Sequence, residues 1–285
     1  MNDILIDGNS LWARCFYAVN EQAEEAKSVF IRMVLHLLDQ SDGKFDVPIH
    51  RTLFCWDGKA KTNKNRKAKP HEYVTARYEL QEALLDLFNT VHGYHPDFEA
   101  DDIAATAVFN STSEHVFLVS GDKDLMQLQG GPVAYYDLNS KSIVGSRLIC
   151  RKFGVKHPSQ VAIALAIIGD HGDGLTGIPR WGPKRTEKVF EAVTESMSFV
   201  EALAAVRRQI PREFQAIFME SLDATLLHTD VPGVPEPAEL SFCGPGELRR
   251  IGIPRISQSY EHVASQYEGG QEALEEMLKH QRAAV

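Results

Sequence analysis

Short apolar, β-forming runs that each stop at an aspartate constrain this chain more than any other feature. Ile4-Leu5-Ile6 runs into Asp7-Gly8-Asn9-Ser10, Thr52–Trp56 into Asp57-Gly58, and Val116–Val119 into Ser120-Gly121-Asp122-Lys123-Asp124. Each run has strand length and composition and is closed by turn formers. Val133–Tyr136 reads as a fourth strand. Helical periods lie between them: about Val29 to Leu38, a long one from about Tyr73 to Val91, and an Ala-rich one opening at Glu99-Ala100-Asp101-Asp102. This alternation predicts an α/β fold with a mostly parallel central sheet. Parallel strands bring their carboxyl ends to one edge, where the ligand sites of such sheets lie. Asp7, Asp57 and Asp122 are therefore predicted to converge there, with Asp124 close by and Glu99, Asp101 and Asp102 at a helix start.

From about Pro158 the pattern becomes helical. Val161–Ile168 reads as a helix leading to Gly169-Asp170-His171-Gly172-Asp173, and Gly177–Pro183 as a tight glycine-bounded turn between two helices. Helical periods continue to about Leu227. Val231 to Gly246 carries Pro232, Pro235, Pro237 and Pro245 and reads as an extended crossing, with a last helix from about Gln271 to Arg282. The expected organisation is an α/β core over 1–155, a helical region over 156–230, and a Pro-rich segment with a helix packing on the core over 231–285.

One strand-end aspartate is ordinarily a cap or turn residue, and Asp101-Asp102 could merely favour a helix N-terminus. The whole set of Asp7, Asp57, Glu99, Asp101, Asp102, Asp122, Asp124, Asp170 and Asp173 is harder to explain as capping. Carboxylates this dense repel one another and raise each other's pKa values unless cations neutralise them. All-oxygen ligands favour magnesium or manganese over zinc. Two such ions can activate a water and clamp a scissile phosphate.

The net charge of −9 argues against a nucleic-acid partner until its distribution is considered. Between Asp57 and Glu72 there is no acid, but there are six bases: Lys59, Lys61, Lys64, Arg66, Lys67 and Lys69. Beside a metal-binding edge such a run would neutralise phosphates. Tyr73 and Tyr78 beyond it could stack on bases or pack in a helix core. A second basic group, Arg180, Lys184, Arg185 and Lys188, contains one acid, Glu187. Lys184 and Arg185 at a helix start would oppose the dipole unless an anion sits there. The scattered cysteines, Cys15, Cys55, Cys150 and Cys243, form no CxxC pair and read as buried reduced thiols, three of them among apolar neighbours. No run reaches the length of a membrane span and the N-terminus begins as a strand rather than a signal peptide, so a cytoplasmic location is expected, that of a host if the chain is phage-encoded.

Taken together, IDGNS (Ile6–Ser10), WDG (Trp56–Gly58), FEADDIAA (Phe98–Ala105), SGDKDLMQL (Ser120–Leu128) and GDHGDGLTGIPRWGPKRT (Gly169–Thr186) resemble the 5′ nuclease, or flap endonuclease, family. That family includes stand-alone phage enzymes and the 5′ nuclease domain of bacterial DNA polymerase I. The resemblance spans roughly residues 3 to 230, in order and with no acid missing. It implies a PIN-like nuclease core with an arch over about 58–92 and a helix-hairpin-helix gripping duplex DNA. It implies metal binding by the nine acids named above, and potassium at the backbone of Gly177, Ile178 and Gly182. DNA contacts would come from Lys59, Lys61, Lys67, Lys69, Tyr73, Arg77, Gly177, Gly182, Lys184 and Arg185. The substrate implied is DNA with a 5′ flap, nick or free 5′ end, or an RNA primer on DNA, cut by a monomer acting apart from any polymerase domain.

The sequence departs from the family pattern in the arch. Nine positions separate Asp57 from Arg66, too few for a multi-turn helix with its connections. A basic loop is expected there, with the helix from about Tyr73 as the other side. Lys64 and Arg66 are the candidate catalytic cations, and an alternative alignment pairs Arg66 and Arg77 with two family arginines. Three other readings compete. A PIN-like RNase would lack the hairpin at Gly177–Thr186. A non-catalytic DNA-junction-binding protein would have lost acids. A phosphotransferase using Asp122 or Asp7 as nucleophile would leave the remaining acids unexplained.

Overall fold

The computed structural model describes residues 1–58, 69–170, 172, 174–243, 246–250 and 252–267. The basic run Lys59, Lys61, Lys64, Arg66 and Lys67, together with Asp173 and the helix expected at 271–282, lies outside the described residues.

β1 (Asn2–Asp7) is the centre of the sheet. It pairs in parallel with β2 (Arg51–Trp56) on one side and β4 (His115–Ser120) on the other. β3 (Val91–Tyr94) extends the sheet beyond β2, and β5 (Val133–Asp137) beyond β4, both in parallel. Two-residue strands complete it antiparallel: β6 (Ser142–Ile143) on β5 and β7 (Ala238–Glu239) on β2. The strand order β3-β2-β1-β4-β5-β6 reverses chain direction across the sheet between β1 and β4. That reversal opens a crevice at the carboxyl ends of those two strands.

Period-two alternation divides the core. Ile4, Ile6, Phe54, Trp56, Phe117 and Val119 face α1 (Gly8–Ala18), α2 (Ala23–Leu38) and α3 (His71–Phe88). Leu5, Leu53, Cys55, Val116 and Leu118 face α4 (Ala100–Asn110), α5 (Ser146–Phe153) and α6 (Val161–Ile168). Apart from Ile168, every side chain of α6 is buried, as its unbroken VAIALAII sequence requires. α7 (Pro183–Val189), α8 (Phe199–Gln209) and α9 (Gln215–Thr225) complete that second layer and share its core. α10 (Gly246–Arg250) and α11 (Ser257–Ala264) return to the first layer, where the Tyr260 hydroxyl donates to the Leu87 carbonyl at 2.6 Å.

Two expectations need correction. The helix predicted to reach Val91 ends at Phe88, Asn89 taking a left-handed φ of 44°, and Val91 opens β3. Along its length the helix packs on the core through Tyr73, Ala76, Leu80, Leu84 and Leu87. All four cysteines are free, but only Cys15 and Cys55 are buried, while Cys150 is half-buried and Cys243 exposed.

Candidate functional site

Asp7, the last residue of β1, is the N-cap of α1: its Oδ1 accepts from the Ser10 N–H at 2.9 Å. Its Oδ2 accepts from the Ser120 hydroxyl of β4 at 2.6 Å. Asp7 is only 5% exposed. Burial, opposed in part by these hydrogen bonds and reinforced by the charges of Asp57 and Asp122, pushes its pKa up to about 7. The three strand-end aspartates are thus electrostatically in contact, as their strand order predicts.

Neighbouring elements bring in the other acids. Asp57 accepts the Ala100 N–H at 2.8 Å, fixing the start of α4 against the end of β2. Glu99 and Asp101 are buried there, at 1% and 6% exposed. Asp122 accepts the Asp124 N–H at 3.0 Å, and Asp124 is itself buried. The Tyr135 hydroxyl donates to the carbonyls of Ser120 and Asp122, bracing this loop from β5. Asp102 has a different environment: its carboxylate accepts the His228 N–H at 2.9 Å and faces the Glu99 N–H at 3.5 Å, so it caps α4 and ties it to the segment after α9. Asp170 pairs with the Lys123 ammonium at 2.8 Å and accepts the Gly172 N–H. Asp173 lies outside the described residues.

Burying this many carboxylates along one edge is costly without cations. Among the described residues no three His, Cys, Asp or Glu side chains are gathered tightly enough to enclose one ion. The acids lie along one edge without converging on a point, an arrangement suited to ions that take few protein oxygens and keep several waters. The all-oxygen donor set and the displaced pKa of Asp7 fit a hard divalent cation.

Of the described basic and aromatic candidates, Arg77 reaches the edge, donating to Asn9 Oδ1 at 3.3 Å beside Asp7. Tyr73 is a core residue, 3% exposed, its carbonyl accepting from the Trp12 indole. The ring exposed beside it is Tyr17, and the Lys69 ammonium lies 5.4 Å from the Tyr17 ring and 5.2 Å from that of Tyr73.

The segment from Gly169 to α7 folds back on itself. Asp170 and Leu175 exchange backbone hydrogen bonds, and a Cβ on Gly169 would lie 2.6 Å from the Leu175 carbonyl oxygen. Gly177, at φ 61°, packs against the Gly169 backbone with no room for a side chain. The Ile178 carbonyl accepts the Trp181 N–H, and the Gly182 carbonyl accepts from Arg185 and Thr186 at the start of α7. Lys184 and Arg185 are exposed, and the Arg185 guanidinium lies 4.2 Å from the centre of the Trp181 ring.

Residues 2–154 match the family model described as the N-terminal resolvase-like domain of 5′-3′ exonucleases. The chain belongs to the 5′-3′ exonuclease family. DNA polymerase I of Rhizobium leguminosarum is 30% identical over 251 residues, 80% of this chain but 24% of that protein. The chain thus spans about a quarter of such polymerases. Flap endonuclease Xni of Shewanella pealeana is 27% identical, with 81% of this chain and 94% of that one covered. The fold matches T5 5′-exonuclease solved with divalent metal ions (zinc) bound, at 16% identity and a TM-score of 0.57, covering 98% of this chain and 99% of that one.

Sequence reading did not single out several members of this exonuclease fold's acidic edge. Ser10 and Ser120 orient Asp7 and the β4 loop, the Ser10 hydroxyl accepting the Gly121 N–H at 3.0 Å. Both stand inside the IDGNS and SGDKD motifs, so their signal was position within the motif. Lys123 carries the same signal, but its partner lies in another segment of the chain.

Proposed function

We propose that this chain is a structure-selective 5′ nuclease, a 5′-3′ exonuclease and flap endonuclease that hydrolyses DNA phosphodiesters near 5′ ends with divalent metal ions. The observation that carries this reading is the meeting of Asp7, Asp57 and Asp122 at the carboxyl ends of adjacent parallel strands, with Asp7 held to a pKa of about 7 by burial and its neighbours' charge. The homologues named flap endonuclease and 5′-3′ exonuclease support it.

In this reading Asp7, Asp57, Glu99, Asp101, Asp122 and Asp124 hold magnesium or manganese, with Asp170 and Asp173 at a further position. Asp102 belongs to the same metal-binding set and also caps α4. Bound there, a pair of divalent ions supplies an activated water and a clamp on the scissile phosphate. Ser120 and Ser10 aim the Asp7 carboxylate, while Arg77 stands at the rim to meet phosphate charge. Lys64 and Arg66 in the basic run steer the scissile phosphate and stabilise charge that develops on it. Lys59, Lys61, Lys67 and Lys69 guide the 5′ strand, and Lys184 and Arg185 grip the duplex. Potassium at the hairpin would use the carbonyls of Gly177 and Ile178, and that of Gly182 only in exchange for its hydrogen bonds to the start of α7.

The substrate is proposed to be DNA with a 5′ flap, nick or free 5′ end, including primer junctions, cut by a monomer in the cytoplasm. The deciding experiment offers 5′-labelled flap, nicked, single-stranded and hairpin DNA with and without magnesium. Short 5′ products released only with metal are expected. Binding without cleavage at any metal concentration would instead identify a junction-binding protein.

A further inference from the structure

The apex of the hairpin between α6 and α7 is a four-residue turn, Ile178-Pro179-Arg180-Trp181, closed by the Trp181 N–H to the Ile178 carbonyl at 3.0 Å. Proline stands at its second position, and the third, Arg180, has a φ of 65°. A turn with proline second and positive φ third favours glycine or asparagine at that third position. An L-residue with a long side chain is strained there, because its Cβ crowds the neighbouring backbone. Arginine offers no local hydrogen bond of the asparagine kind to offset that strain, so the turn gains nothing from it.

Arg180 is exposed, as are Lys184, Arg185 and Lys188. Among the described residues no carboxylate pairs with any of the four. Glu187 is the one acid between positions 180 and 188. Arg185 is held in place by the Trp181 ring, which is buried at 6% exposure and packs edge-on against Phe214. The hairpin thus presents several cations on a rigid apex, one of them placed against the conformational preference of its own backbone. Strain at an exposed residue that does not serve the fold points to a role outside it.

We propose that Arg180 is a phosphate contact to duplex DNA, kept at the apex of the hairpin for its charge at a cost to the turn. This rests on the nuclease reading for the identity of the polyanion, and adds a binding residue to it. Lys184 and Arg185 follow Arg180 at the start of α7.

The test uses the full chain as wild type, Arg180→Gly and Arg180→Lys, with chelator present so that binding is read without cleavage. Glycine relieves the strain and removes the charge. Its thermal midpoint is expected to rise by about 2 °C. The slope of log affinity against log salt for blunt duplex is expected to become shallower by about one. The slope for a single strand is expected to stay at the wild-type value. Lysine keeps both strain and charge, so its midpoint and slope should match wild type. A duplex slope unchanged in Arg180→Gly overturns the proposal, as does an equal loss on single strands, a midpoint that fails to rise, or an Arg180→Lys that behaves like the glycine variant. Wild type that shows the expected slopes but never cleaves with metal would sink the nuclease reading and leave this contact standing. Wild type that cleaves, with an Arg180→Gly slope that does not move, does the reverse.

Discussion

Replacing Asp7 by asparagine should stabilise the metal-free protein while abolishing its activity. Asp7 is buried and its pKa stands at about 7, against 3.8 for an unperturbed aspartate, with burial the main cause and the Asp57 and Asp122 charges adding to it. An acid whose pKa is raised on folding binds its proton more tightly in the native state. Its protonated form therefore supports the fold at low pH, and that support is lost as pH rises from about 4 through about 7. At 1.36 kcal/mol per pH unit, ionised Asp7 costs the metal-free fold about 4 kcal/mol above pH 7. Asparagine keeps an acceptor for the Ser10 N–H but must present an amide to the Ser120 hydroxyl, which already accepts the Asp122 N–H. Re-pairing there costs about 1–2 kcal/mol, so a net gain of about 2 kcal/mol is expected at pH 8.5 and little or none at pH 5.5. Urea unfolding in EDTA at the two pH values measures the gap between variant and wild type. Magnesium should then stabilise wild type and not the variant. A pH-independent gap, or equal stabilisation of both proteins by magnesium, would refute the reasoning.

The remaining predictions concern catalysis and binding. Asp122→Asn should abolish turnover yet preserve or tighten DNA binding, because a charge that repels phosphate is removed; full cleavage by that variant would remove Asp122 from the metal-binding set. Cleavage by wild type should stop in excess EDTA and return with magnesium or manganese, and activity that survives the chelator would defeat the all-carboxylate reading. Lys184→Ala with Arg185→Ala should make the salt slope for duplex substrates shallower by about 1 to 2, with an unchanged slope marking an ordinary hairpin. Arg66→Ala should lower single-turnover cleavage of a 5′ flap far more than it lowers affinity for the same substrate, and equal losses would make Arg66 a docking contact only.

The parts of this fold that can be read in sequence are those where a short apolar run meets a turn former. β1, β2 and β4 carry that signature, and α6 is bounded on both sides by the residues that end it. β3 does not, since Val91-His92-Gly93-Tyr94 has no alternation, and its register comes entirely from β2. Gly93 is required there by α4, because a Cβ would lie 2.5 Å from the Ile103 side chain, a constraint invisible from neighbouring residues. A strand-end aspartate is also an incomplete signal. Asp137 ends β5 just as Asp7 ends β1, yet its carboxylate is taken up by the Asn139 and Ser140 N–H groups of its own turn. What distinguishes the two is place in the sheet: Asp7 stands at the reversal of strand order and Asp137 two strands away. The capping contact of Asp102 could not be read in sequence because its partner, the His228 backbone, is distant along the chain.

In the proposed function, α6 sets the separation between the acidic edge and the hairpin. Its buried body is set in the core that holds Leu5, Leu53 and Leu118. Its last turn delivers two things at once: the Gly169–Gly177 backbone contact that sets the direction of the hairpin, and Asp170, which the Lys123 ammonium draws to the loop after β4. Lys123 stands between Asp122 and Asp124, so one ion pair joins the strand-end acids to the base of the hairpin. A flexible tether at that junction would let duplex binding occur without placing a phosphate at the acids. A helix locked into the core removes that freedom before substrate arrives, so less ordering remains to be done when DNA binds. In the proposed function, the glycines at 169 and 177 act without touching substrate, by holding the hairpin and the acids in one register.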